Sequence, residues 1–190
     1  MIDQATKQQR LQNRLGPEIE AFRANCRTLQ LATVDADGKP NVSYAPFAQR
    51  EDGFYILISE IARHARNLQE NPNLSLMMIE DEGSAKQIYA RQRLSFDARA
   101  EMVARNTATW QVGIDALKAR FGDIIDNLSD LEDFRLFRLA PENGLYVKGF
   151  GQAFQVGSDD FVDMVHLDQG HRKVGEDKDI QTTDELAING

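Results

Sequence analysis

Residues 93–104, RLSFDARAEMVA, constrain the fold more than any other stretch of the chain. Leu94, Phe96, Ala98, Ala100 and Met102 alternate with Arg93, Ser95, Asp97, Arg99 and Glu101. A period of two sends the first set to one face of a strand and the second to the other. This segment is therefore expected to be a strand with an apolar inner face and a charged outer one. Upstream, TLQLATV (28–34), NVSYAPFAQ (41–49) and FYILIS (54–59) are β-rich. They are separated by ADGKP, with Asp37-Gly38 at the turn, and by REDG. Strands joined by such short turns predict an antiparallel meander.

Elsewhere the period changes. Leu11, Leu15, Ile19 and Phe22 recur at helical spacing, and Gly16-Pro17 is expected to split that helix in two. EIARHARNLQEN puts Ile61, Ala65 and Leu68 on one helical face and stops at Asn71-Pro72. NLSLMMIE (73–80) is apolar almost throughout and reads as a strand buried on both faces. TATWQVGIDALKARFGDIID (107–126) reads as one amphipathic helix carrying Trp110, Ile114, Leu117 and Phe121. FRLFRLAPE and GLYVKGFGQAFQV read as a closing hairpin turning at Glu142-Asn143-Gly144. Tyr44, Met77 and Met78 are read as core residues. Six or seven strands with a few helices define an α+β domain, a small antiparallel barrel.

Composition narrows the function classes. The 190 residues suit one domain, and 42% apolar with 27% charged residues is ordinary for a globular protein. With 22 basic against 30 acidic residues the net charge is −8, which argues against generic binding to nucleic acid or to anionic membrane. FYILIS is far too short to span a bilayer, and the polar N-terminus lacks a signal-peptide run. The one cysteine, Cys26, forms no internal disulfide and fits a reducing compartment. A cytoplasmic location is expected. The polar segment 175–190 is expected to be a disordered tail following a domain at 1–174.

The chemistry on offer is sparse. G-x-S-x-G, G-x-x-x-x-G-K-[ST] and G-x-G-x-x-G are all missing. Of three histidines, His166 and His171 both fall in VHLDQGHRKV (165–174). Five residues apart, they diverge by about 140° on a helix and face opposite ways on a strand, which argues against a shared zinc. From the residues alone, His171 suits either a solvated tail or a single axial ligand.

Several stretches together resemble a known family. TLQLATVDADGKPNVSYAPFA and HARNLQENPNLSLMMIEDE are similar to the split barrel of the pyridoxamine 5′-phosphate oxidase superfamily. IEDEGSAKQIYARQRLSFDA, LEDFRLFRL, GLYVKGFGQAF and VHLDQGHRKV resemble its HugZ/HutZ heme-utilisation branch, on the HutZ side. The resemblance runs from about residue 3 to residue 174. It implies an antiparallel split β-barrel with flanking helices, dimeric, that binds heme between its subunits. It also implies oxygen-dependent heme degradation with iron release, fed by an external electron donor or reductase.

Residue by residue, the resemblance implies three roles. His171, in G-H-R-K, is the heme-iron axial ligand. Asp133, before the phenylalanine of D-F-x-L-F, hydrogen-bonds that ligand from the other protomer. Arg93, in A-R-x-R-L, is the distal arginine. Each role is chemically sound. Iron takes a neutral imidazole nitrogen, a carboxylate on the ring's other N–H fixes the tautomer, and a fixed cation stabilises negative charge that develops on the opposite heme face. Gly170, just before the ligand, gives the loop conformational freedom. His166 is read as structural or exposed, His64 as a surface or interface histidine, and Arg172-Lys173 as a solvated pair. Two alternatives stay open: a heme carrier without catalysis, and an FMN-dependent oxidase of the ancestral type.

Overall fold

A computed structural model describes residues 4–157 and 162–164. It opens with helix α1 (Gln4–Asn25) and passes into strands β1 (Thr28–Val34), β2 (Pro40–Pro46), β3 (Ala48–Arg50) and β4 (Gly53–Ser59). Helix α2 (Arg63–Glu70), strand β5 (Asn73–Ile79), a short 3-10 turn at Ile88–Ala90 and strand β6 (Arg93–Val103) follow. Helices α3 (Ala108–Phe121) and α4 (Ile124–Ser129) lead into strands β7 (Phe134–Gly149), β8 (Gln152–Val156) and β9 (Val162–Met164). All pairings are antiparallel, in the order β2-β1-β5-β6-β7-β4-β3, with β8 on β7 and β9 on β8. The two ends of that path, β2 and β3, are consecutive in the chain with only Phe47 between them. The sheet therefore curls back until its two edges meet through a covalent link and not through a ladder, which is what makes the barrel split. Among the described residues no helix is long and apolar enough to cross a membrane.

Two cores flank the curled sheet. Inside lie Leu29, Leu31, Phe54, Ile56, Ile58, Leu94, Phe96, Ala98, Ala100, Phe137 and Leu139, closed off by Leu11, Leu15, Ile19 and Phe22 of α1. Outside, α3 and α4 bring Trp110, Ile114, Leu117 and Ile125 onto Tyr55, Leu57, Val103 and Leu136. The apolar run FYILIS thus has a cause: β4 separates the cores and feeds both.

Several expectations need correction. Gly16-Pro17 does not split α1, which is continuous through it. An interior proline costs about 3 kcal/mol, whereas burying Leu15 and Ile19, both at 2% exposure or less, stabilises by about 1.5–3 kcal/mol each. The apolar stripe wins. β5 is not buried on both faces: Leu74, Leu76 and Met78 are buried, while Asn73 and Ser75 are exposed. Met102 does not continue the inner face of β6. It is 52% exposed, and Val103 turns into the outer core because α3 covers that end of the sheet. Nor is Tyr44 a core residue, since β2 directs it outward at 67% exposure. The segment read as one helix over 107–126 breaks at Gly122, where φ is +78°.

The hairpin turn is also displaced. Glu142-Asn143-Gly144 lies within β7, at an irregularity in its pairing with β6, and the reversal comes at Phe150-Gly151 with Gly151 at φ +66°. Gly144 serves a different purpose. A Cβ there would stand 2.5 Å from Cε1 of Phe96, so the glycine lets that ring lie flat on the strand.

Candidate functional site

Asp133 closes the loop between α4 and β7. Its main-chain carbonyl accepts the Glu60 N–H at 2.8 Å, which carries the β4–β7 ladder one step beyond the Ser59–Phe134 pair. Ser59 Oγ donates to Asp133 Oδ2 at 2.5 Å and accepts the Ile61 N–H at 3.1 Å. The carboxylate is half-buried, and among the described residues its Oδ1 meets no donor. One oxygen is fixed and the other is open to an outside N–H.

The surroundings of Asp133 are braced. Arg135 holds Glu60 through Nε at 2.7 Å and Nη2 at 3.3 Å. Arg66 donates to the carbonyls of Glu60 and Ile61. The same turn leads into α2, where His64 is half-buried and its pKa is pushed down by burial. A neutral imidazole there can accept a hydrogen bond but repels no cation.

Arg93 opens β6, with Ile79 of β5 and Val147 of β7 as its register partners. Its side chain leaves the sheet on the face opposite Leu94, which is fully buried. Its one bond among the described residues is a long one, 3.4 Å, to the Arg91 carbonyl. Arg91, by contrast, is committed: it donates to the Glu80 carbonyl and pairs with Glu82 at 3.1 Å. A cation unpaired with any described carboxylate, flanked on its rungs by two apolar side chains, suits a large flat anion with apolar faces.

These two candidates do not meet within one chain. Arg93 pairs with Val147 at one end of the β6–β7 ladder, while Asp133 precedes Phe134 at the other. Nine residues of β6 lie between the Arg93–Val147 and Val103–Leu136 pairs, about 30 Å of strand at the usual rise. A cleft of about 990 Å³ between α1, the β3–β4 hairpin and α3 is lined by neither. His166, His171, Arg172 and Lys173 lie outside the described residues.

Sequence reasoning missed Ser59, Glu60 and Arg135. Their relation to Asp133 spans 74 positions in the case of Ser59, and nothing in local spacing announces it.

Comparison with known proteins now places the chain. Its fold and the layout of its strands are those of the pyridoxamine 5′-phosphate oxidase class, and the family model of that description matches residues 15–148. Within that class the chain belongs to the HugZ/HutZ family. It is 63% identical over 173 residues, 91% of this chain and 98% of the other, to a Vibrio cholerae serotype O1 protein named heme oxygenase HutZ. The crystal structure of HutZ from Vibrio cholerae, described there as a heme storage protein, superposes with a TM-score of 0.69 at 63% identity, covering 73% of this chain and 97% of that one. Campylobacter jejuni ChuZ gives a TM-score of 0.76 at 31% identity, over 84% of this chain and 65% of that one.

Proposed function

We propose that this protein is a heme-degrading oxidoreductase that takes heme as its substrate, opens the porphyrin at the expense of oxygen and an external electron donor, and releases iron. The separation of Arg93 from Asp133 carries this reading. Each group offers a free valence suited to one side of a heme, yet the ladder holds them about 30 Å apart. A site that uses both needs two chains.

A twofold pair is therefore part of the proposal. The outer sheet face supports it: Tyr44, Gln30, Met77, Ser95 and Leu145 fall in one line across five strands. Val42 at 79%, Tyr44 at 67% and Leu145 at 38% exposure add apolar surface on that face. Such a patch suits burial against a second copy.

The division of labour follows from the side chains. His171 gives the iron a neutral imidazole nitrogen. Asp133, through its open Oδ1, accepts the ring's other N–H, fixing the tautomer and strengthening the ligand. Arg93 holds a positive charge on the opposite side, where negative charge develops during oxidation. Bound heme supplies an iron centre that reduces oxygen against its own macrocycle. Ile79 and Val147, beside Arg93, limit access of water.

Ferric heme, ascorbate and air added to the purified protein test the reading. Loss of the Soret band with release of chelatable iron is expected. A Soret band that persists with reductant and with peroxide would contradict degradation.

A second reading has an observation behind it, since the solved Vibrio cholerae relative is described as a storage protein. Arg93→Ala separates the two. In a degrading enzyme it slows breakdown far more than it weakens binding, whereas in a carrier only affinity changes. A flavin oxidase is the weaker alternative, and a yellow protein with a flavin spectrum would be its sign.

A further inference from the structure

We infer that Arg105 is the positioning residue for Asp133, setting where its open carboxylate oxygen points. The inference rests on the reading of Asp133 given above. Arg105 follows β6 in the turn before α3. Its Nη1 donates to the Ser129 carbonyl, and its Nη2 donates to the carbonyls of Leu131 at 2.5 Å and Phe134 at 2.8 Å. These three carbonyls bracket Asp133 on both sides. Among the described residues the guanidinium has no carboxylate partner, so its donors serve this loop.

Apart from the 2.8 Å bond that the Asp133 carbonyl accepts from the Glu60 N–H, the loop is loosely tied. Its own backbone bonds, Leu131 N–H to Leu128 and Phe134 N–H to Leu131, are both 3.2 Å, at the long end of the normal range. Arg105 supplies shorter, charge-assisted ones. A lysine, with one nitrogen and no planar fork, reaches one or two of these carbonyls at a time.

Arg105 is itself seated. Its guanidinium carbon lies 4.7 Å from the ring centroid of Trp110, which is buried in the outer core. Its turn is fixed by Asn106 at φ 62°, by Thr107 Oγ1 donating to the Ala104 carbonyl at 2.8 Å, and by Thr107 Oγ1 accepting the Trp110 N–H. Position thus passes from the outer core through Trp110 and Arg105 to the loop backbone. Ser59 then fixes Oδ2 and the Glu60 N–H holds the Asp133 carbonyl, so the direction of Oδ1 is set by three ties, of which Arg105 supplies one.

Two readouts on the full chain test this. In heme-free protein, hydrogen exchange of Arg105→Lys is expected to quicken within 129–134 while the rest of the sheet keeps its protection. In the hemin-loaded, reduced protein, resonance Raman reads the iron–imidazole stretch, which weakens when the imidazole loses its carboxylate partner. Arg105→Lys is expected to shift the band in the same direction as Asp133→Asn, by less. The double variant is expected to match Asp133→Asn alone. Trp110→Phe, which keeps an aromatic seat, is the second variant should Arg105→Lys fold poorly, with a smaller shift of the same sign.

A band that moves in Asp133→Asn but not in Arg105→Lys or Trp110→Phe overturns the inference and leaves Arg105 a structural residue. A band unmoved by Asp133→Asn removes the ligand-partner reading of Asp133, and the inference falls with it.

Discussion

Arg93 and Asp133 stand at opposite ends of the antiparallel ladder between β6 and β7, Arg93 on the rung of Val147 and Asp133 one residue before Phe134. Rigid pairing along this ladder keeps them apart however the loops move. If one heme is served by both, they come from different chains. Arg93→Ala and Asp133→Ala are each expected to abolish breakdown as homodimers. Mixed by refolding or co-expression, they regain about half of the wild-type rate per mixed dimer, because one of its two sites carries both native residues. Absence of any recovery in isolated mixed dimers would place both residues in the same chain's site.

Gly144→Ala tests the account of the shifted hairpin. The added Cβ falls 2.5 Å from Phe96 Cε1 and 3.0 Å from the Val156 carbonyl. Phe96 is 2% exposed and has nowhere to retreat. Overpacking of this kind costs about 1–3 kcal/mol. Urea unfolding of the variant is expected to show that loss with an unchanged slope. A neutral effect would return Gly144 to the status of a turn residue.

Tyr146 ties α1 to the sheet. Its hydroxyl donates to Glu18 at 2.9 Å and accepts from Gln92, and Lys148 holds Glu18 at 2.6 Å. Burial pushes the phenol pKa well above its usual 10, so it stays protonated through neutral and mildly alkaline pH. Tyr146→Phe is expected to cost about 1–2 kcal/mol in thermal or urea unfolding, with the sheet intact by circular dichroism.

His64 gives a pH prediction. Burial lowers its pKa from the ordinary 6.5, so the unfolded chain takes up the proton more readily than the folded one. Its contribution is fully present above 6.5 and declines as pH falls through 6.5 toward the lower folded value. His64→Gln is expected to flatten the stability profile just below 6.5, read from urea midpoints across that range. Asp35, held below its usual 3.8 by the Lys39 and Asp37 N–H groups and Arg63, keeps its contribution above 3.8 and loses it as pH falls below that. An identical profile in the variant would mean that His64 titrates freely in the folded chain.

The sequence carried the fold further than the site. Alternation in 93–100 located β6 and its inner face because each residue there meets one core or solvent. It failed at Met102, where the covering layer changes from the barrel interior to α3. The run FYILIS and the run NLSLMMIE look alike as strings. Only the first lies between two cores, and that difference is set by α3, 50 or so positions away in the chain. Asn143-Gly144 mimics a hairpin turn because glycine suits both a reversal and a close ring contact. Asp133 and Arg93 became candidates through family resemblance. What spacing could not supply was their partners: Ser59, Glu60 and Arg105 reach the Asp133 loop from remote strands and turns.

The central claim is that the His171 imidazole binds heme iron. Titrating wild type and His171→Ala with hemin, and comparing affinity with the absorption and electron paramagnetic resonance spectra of the ferric complexes, tests it most directly. The account predicts an imidazole-ligated spectrum for wild type, and for the variant a weaker complex whose imidazole signature returns when free imidazole is added. Equal affinity and an identical spectrum in the variant would contradict it.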